Sequence, residues 1–220
     1  MTRFLTPSLV ALALLGATAA QAQSAGNWSV RVGATHIAPS VTSGDLSPPS
    51  FAGTKADVDS ATQLTGGVTY MLTNHVALDL PLALPFRHDI TGDGAIAGVG
   101  KIGETKALPA SLFVQYRFGE PTAAVRPYVG FGPTYARFFR ERGTNTLSAL
   151  TGGNPTTLSI DSKLVPTVQV GTTIALKDRW FLDVMAAKTF LKTRTTLSTG
   201  QTLDIRLNPT TVAVSLGYRY

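Results

Sequence analysis

No cysteine occurs in the 220 residues. That absence excludes a small secreted scaffold stapled by disulfides, so the fold is held by packing and backbone pairing alone. Also missing, beyond the N-terminus, is any run of about 18 consecutive apolar residues, the least a membrane helix needs. Asp79, Gln115 and scattered Gly and Pro residues interrupt every candidate. If this chain crosses a membrane, it crosses as strands. Histidine is scarce: His36, His75 and His88 fall at strand ends or turns, with no evident serine and acid constellation around them, which leaves catalysis little support. No basic stretch carries interleaved aromatics, so nucleic acid is not an expected partner.

What the N-terminus does contain is Arg3, an apolar run from Leu9 to Ala20, and Ala20-Gln21-Ala22. This arrangement reads as a secretory signal peptide over residues 1–22, cleaved after Ala22, leaving 23–220 as a single domain. Arg3 is one of 19 basic side chains, so 18 remain against 13 acidic ones, a net charge of about +5.

The last nine residues, Val212 to Tyr220, alternate large apolar side chains with Ala213, Ser215, Gly217 and Arg219. A period of two places these sets on opposite faces of a strand, and a strand that ends the chain needs a partner on both sides, as a closed barrel provides. Similar alternation recurs over Trp28–Ile37, Leu64–Leu72, Val76–Phe86, Leu108–Phe118, Val125–Phe139, Leu164–Leu176, Trp180–Leu191 and Ile205–Tyr220. Short connections (Thr73-Asn74, Gly119–Ala124, Lys177–Arg179) strictly alternate with long ones (Pro39–Thr62, His88–Thr105, Arg140–Lys163, Lys192–Asp204). The expectation is an all-β, eight-stranded antiparallel transmembrane β-barrel with short periplasmic turns and long extracellular loops. Trp28, Tyr70, Tyr116, Trp180, Tyr218 and Tyr220 fall near the short-turn end as an aromatic girdle. A soluble barrel would carry charge on its outer register, whereas here the register opposing the apolar one is mostly Gly, Ala, Thr, Ser and Pro.

Several runs resemble the OmpW family of outer-membrane proteins: Thr69-Tyr70-Met71, Pro85-Phe86-Arg87-His88, Leu108-Pro109, Gln115 to Gly119, Arg126-Pro127-Tyr128-Val129-Gly130, Leu207-Asn208-Pro209 and Gly217-Tyr218-Arg219-Tyr220. The final Tyr, where the family usually ends in Phe, and Asn208, where an Asp is common, depart from it. The resemblance implies an eight-stranded outer-membrane barrel with a narrow, largely apolar lumen for small hydrophobic molecules. Relatives that assist alkane uptake belong to the same family, and the aromatic C-terminus resembles the signal read by barrel-assembly machinery.

An eight-stranded interior is wide enough for side chains or one slim ligand. The register places Pro81, Ala83, Ser111, Phe113, Gly130, Gly132, Thr134, Thr167, Gln169, Gly171, Met185 and Ala187 along the lumen. Below them Arg31, Asp79, Arg117, Arg126, Asp183 and Arg219 are expected to meet as an ionic floor, closing the barrel or gating it. Above an apolar lumen and a shut floor, release sideways into the membrane is expected, with Pro81, Pro85, Pro109, Pro127, Pro133, Pro166 and Pro209 as marks of interrupted pairing. The outer rim is basic: Arg87, His88, Lys101, Lys106, Arg137, Arg140, Arg142, Lys192, Arg194 and Arg206 suit phosphorylated lipopolysaccharide. The rival readings are a structural or surface-docking barrel, and a lipid hydrolase using His88 with Ser111 or Ser40. No cofactor or metal is expected, since Asp89 to Gly94 lacks the ligand spacing of a calcium loop, and Gly92 to Gly100 is followed by no helix that would make a phosphate cradle.

Overall fold

The computed structural model describes residues 23–220; the expected signal peptide lies outside them. In chain order the elements are β1 Trp28–Ala38, β2 Thr42–Ser43, β3 Thr54–Val58, β4 Ala61–Met71, β5 Val76–Ala83, β6 Phe86–Gly94, β7 Lys101–Ser111, β8 Phe113–Arg117, β9 Val125–Gly143, α1 Asn145–Leu150, β10 Leu158–Ile160, β11 Lys163–Ala175, β12 Trp180–Thr189, β13 Lys192–Leu197, β14 Thr202–Arg206 and β15 Thr210–Arg219. Strands β1, β4, β5, β8, β9, β11, β12 and β15 close a ring of eight, each antiparallel to its neighbours. The final strand pairs with the first from Ser29↔Arg219 to Ala38↔Thr210 and with β12 from Trp180↔Tyr218 to Lys188↔Thr210, so neither of its edges is open.

The membrane face is the reverse of a soluble protein's. Val30, Leu82, Val114, Phe131, Val170, Val214 and Leu216 are all exposed on the outer wall, an apolar area that only lipid accommodates. At the short-turn end the aromatic residues touch one another: Trp28 against Tyr70 at 4.5 Å, Trp180 against Tyr218 at 5.1 Å and Tyr218 against Tyr220 at 5.2 Å between ring centres.

Above this belt the expected long loops are instead largely strands. β3, β6 and β7 carry one wall upward, and β2, β10, β13 and β14 form a second sheet; the third connection also holds the short helix α1, capped by the Thr144 hydroxyl, which accepts from the Leu147 amide. In this upper part polarity inverts. Ile90, Ile102, Leu158, Ile160, Leu203 and Ile205 point inward and are buried, while Arg87, Arg194 and Asp204 face water.

Four expected spans do not run as one continuous strand. Val76–Phe86 stops after Ala83; Pro85 has no amide to donate, and beyond it Phe86 turns inward, 1% exposed, rather than sharing the outward face of Leu84. Leu108–Phe118 breaks at Leu112, Trp180–Leu191 at Phe190 and Leu191, and Ile205–Tyr220 over residues 207–209.

Candidate functional site

The interior is built in three levels, beginning with a plug at the short-turn end. Arg31 grips Asp79 with two hydrogen bonds, Nη1 to Oδ1 at 2.6 Å and Nη2 to Oδ2 at 2.9 Å, and the Thr69 hydroxyl donates to the same carboxylate at 2.7 Å. The other expected floor charges do not join this pair. Arg117 donates to Gln115 Oε1 at 2.8 Å and to Gln23 Oε1 at 3.1 Å, its guanidinium 4.9 Å from the Tyr128 ring centre. Arg126 binds the carbonyls of Gln23 at 2.9 Å and Asn74 at 2.6 Å. Asp183 accepts from the Tyr128 hydroxyl at 3.2 Å, and Arg219 lies 5.2 Å from the centre of the Phe181 ring. One ion pair therefore replaces the expected six-charge network; amides, carbonyls and rings hold the rest, because strand tilt brings uncharged neighbours between the charges.

The plug also corrects the assumption that small inward residues leave a passage. A Cβ on Gly130 would meet Gln169 at 2.8 Å, one on Gly171 would meet Tyr128 at 2.5 Å, and one on Gly217 would overlap the Phe181 ring. Each glycine is a socket for a large side chain from another strand. Gly130, Gly171 and Gln169 thus belong to the packed floor rather than the lumen, and Gly132 is covered by the Leu112 carbonyl of the adjoining wall. Gly217→Val is expected to force the Phe181 ring aside and cost about 1–3 kcal/mol, the usual penalty for overpacking, measured as a lowered urea midpoint of the barrel in detergent.

Over the plug opens a cavity of about 480 Å³, within the range of small-molecule sites. Its lower part is lined by Pro81, Ala83, Ser111, Phe113, Thr134, Thr167, Met185 and Ala187, the expected lumen residues that do face open space. The hydroxyls at this level bond to each other: Ser111 to Thr134 at 2.7 Å, Thr134 to Thr167 at 2.8 Å, Thr167 to Thr189 at 2.9 Å. With their polar groups satisfied laterally, the threonines offer methyl groups to the lumen. Higher up the lining is mainly apolar, through Ile37, Phe86, Phe138, Leu191 and Leu207 to Leu46, Phe51, Ile96, Leu147 and Leu158 at the mouth, with His88, Lys55 and several threonines among them. These upper residues were missed in sequence; the alternation of Leu203, Ile205 and Leu207 with Asp204 and Arg206 is the signal that marks them.

Beside the cavity the wall has an interval without strand pairing. β5 pairs with β8 only from Val76↔Tyr116 to Asp79↔Phe113, and β6 pairs with β7 from Phe86↔Ala107 onward. Between these ladders Leu80–Pro85 faces Leu108–Leu112 without strand pairing, and Pro81, Pro85 and Pro109 supply no amide there. Pro81, Leu82, Ala83 and Pro109 all border the cavity, and Leu82 is exposed on the outside as well. Of the other prolines, Pro127, Pro133 and Pro166 lie within the paired ladder of β9 and β11, and Pro209 lies in the break between β14 and β15.

His88 borders the cavity, and burial lowers its pKa. Its Nδ1 donates to the Asp59 carbonyl at 2.7 Å. Among the described residues no hydrogen bond joins it to either suspected serine: Ser111 is bonded to Thr134, and Ser40 accepts from Lys188 at 3.3 Å. On the outer face Arg87 pairs with Glu104 at 2.6 Å and Lys101 with Glu104 at 2.8 Å, and these two cations, Lys101 foremost, hold the Glu104 carboxyl down at about 2. Asp89, from the calcium-like run, pairs with Lys101 at 2.7 Å. Lys106 sits opposite Arg87 in the ladder, Arg137 opposite Leu108, and Arg140 at a kink with φ of 55°; Lys192 is exposed at the start of β13.

A profile of the OmpW family matches residues 24–220. The chain is 33% identical over 218 residues to outer membrane protein W of Vibrio cholerae serotype O1, covering 96% of this chain and 97% of that protein. With outer membrane protein AlkL of Ectopseudomonas oleovorans the identity is 28% over 189 residues, 80% of this chain and 78% of that protein. The crystal structure of outer membrane protein OprG from Pseudomonas aeruginosa has the same architecture, with a TM-score of 0.81 at 26% identity, covering 91% of this chain and 98% of OprG.

Proposed function

Because the chain belongs to the OmpW family and is an integral outer-membrane barrel, we propose that it provides a narrow route or binding site for small hydrophobic molecules, which enter from outside and leave sideways into the membrane. The observation that supports this reading is the form of the cavity: mainly apolar from the mouth down, stopped by a packed floor, and bordered by a stretch of wall where β5 and β6 part from β7 and β8.

The chemistry is that of transfer between apolar surroundings. A hydrocarbon crossing the polar lipopolysaccharide layer loses contact with water as it enters the funnel of Phe51, Ile96, Leu147 and Leu158, at about 25 cal/mol per Å² of apolar surface removed from water. Lower down, the hydroxyl belt makes no specific demand on the ligand because its hydrogen bonds are already made. Leaving through the wall requires no charged group to move, whereas leaving through the floor requires breaking the Arg31–Asp79 pair.

The test is transfer of naphthalene into proteoliposomes, with single-channel conductance recorded on the same preparation. The protein is expected to speed naphthalene entry while conducting hydrophilic ions far less than a general porin; porin-like conductance overturns the reading. Met185→Trp, which adds bulk where the cavity meets the floor, is expected to slow naphthalene transfer at least about fivefold, since a misfit of about 1–3 kcal/mol corresponds to a factor of about 5 to 150.

A further inference from the structure

The outer wall above the apolar belt carries an arrangement that folding alone does not favour. In the hairpin of β13 and β14, Arg194 stands opposite Asp204 and grips it with two hydrogen bonds, at 2.6 and 2.8 Å. Two residues nearer the membrane, Lys192 stands directly opposite Arg206, and like charges in that position destabilise a sheet. Both point outward, because the alternate residues Thr193 and Ile205 line the cavity. Among the described residues neither forms an ion pair. The comparable facing pair Arg87 and Lys106 is different, since Glu104 neutralises Arg87.

The two cations border a surface groove of about 470 Å³ that also includes Thr42, Lys163 paired with Asp161 at 3.1 Å, and the Arg194–Asp204 pair, so that both of its acids are engaged by cations. Directly beneath, Leu164 is 71% exposed and Phe190 50% exposed, and both contact only lipid in a membrane. The groove therefore sits where hydrocarbon gives way to headgroups.

We propose that Lys192 and Arg206, with Thr42 and Lys163 beside them, bind the phosphate of an outer-leaflet lipid whose acyl chains lie against Leu164 and Phe190. The phosphate supplies the negative charge that the ladder omits: Arg206 donates from two nitrogens and Lys192 from one, as in other charge-assisted phosphate contacts. A lipid rather than a free anion is the occupant because the groove continues onto the apolar wall. This inference depends on the membrane seat of the barrel and not on the proposed hydrocarbon route, which naphthalene transfer tests separately.

The experiment uses the full chain purified in phosphatidylcholine micelles. It is titrated with diphosphorylated lipid A, with the same lipid lacking phosphate, and with sodium phosphate alone, bound lipid being counted by native mass spectrometry. The parent is expected to retain the phosphorylated lipid at least about tenfold better than the other two, the loss of charge-assisted hydrogen bonds being worth that factor. Lys192→Glu should lose that preference while raising the melting temperature, since it places an acid opposite Arg206 and relieves the repulsion. Arg206→Gln, which retains an amide donor, carries the binding test should Lys192→Glu not assemble. Lys177→Ala, altering a cation at the short-turn end far from the groove, should change binding less than about twofold. Unchanged lipid preference in both Lys192→Glu and Arg206→Gln overturns the proposal, as does inorganic phosphate competing as well as the lipid.

Discussion

Joining Leu82→Cys to Ala110→Cys across the wall is expected to stop hydrocarbon release, lowering naphthalene transfer by roughly an order of magnitude, as blocking a gating step does. The two positions face each other when the β5–β8 register, Asp79↔Phe113, is extended, and both are exposed on the outer wall. Since the chain has no cysteine, the added thiols are the only ones, and a short bismaleimide with a disulfide in its spacer attaches at no other place. Reduction of the linker should restore transfer in the same sample, which separates a blocked exit from a damaged barrel. Transfer unaffected by the linker would mean that the ligand leaves by another path, and the floor would then be the place to look.

At the floor the largest effect on stability is expected from Asp79→Ala. Asp79 is wholly buried, and its carboxylate is what compensates the buried Arg31 guanidinium; removing one member of such a pair costs about 3–5 kcal/mol because the other charge is left in a medium that solvates it poorly. The measurement is urea unfolding followed by the gel shift of the folded barrel. Arg31→Met combined with Asp79→Leu removes both charges together, and most of the loss is expected to be recovered, since a buried pair and an apolar replacement of similar volume are often nearly equal in stability. A double variant as unstable as Asp79→Ala would show that the loss comes from packing at these positions rather than from an uncompensated charge.

Much of the barrel was legible because each membrane strand states its own orientation. In Val212 to Tyr220 every second residue is large and apolar, and the structure exposes Val212, Val214 and Leu216 to lipid while burying Ala213, Ser215 and Arg219. The same parity brought Arg31, Asp79, Arg117, Arg126, Asp183 and Arg219 to one end. Their partners were not legible, because Gln23, Gln115, Tyr128 and Phe181 carry no charge to announce them and meet the arginines only through the stagger of neighbouring strands. The upper walls hide from a sequence reading for a related reason. Their alternation is that of a soluble barrel, apolar inside and polar outside, and a search for the opposite polarity passes over it. The wall gap was half legible: the prolines are plain in the sequence, but which of them open the wall depends on the kinks at Leu84 and Leu112, where the ladders change partners.

The inversion of polarity along a continuous wall sets the depth at which the protein floats. Leu203, Ile205 and Leu207 face in, and a few residues later Val212, Val214 and Leu216 face out, while Ala213 and Ser215 keep the inward register of the leucines above them. Sliding the barrel outward by one residue pair lifts Val212 toward water, and sliding it inward carries Arg206 toward hydrocarbon, where a cation on the lipid face costs about 2–4 kcal/mol at mid-depth. Outward apolar side chains around the ring, Val30, Leu82, Val114, Phe131 and Val170 among them, oppose lifting the belt into water. A leaflet thicker or thinner than the belt must therefore stretch or compress around the barrel, so that the protein acts as a gauge of local membrane thickness and the lipid is the party that yields.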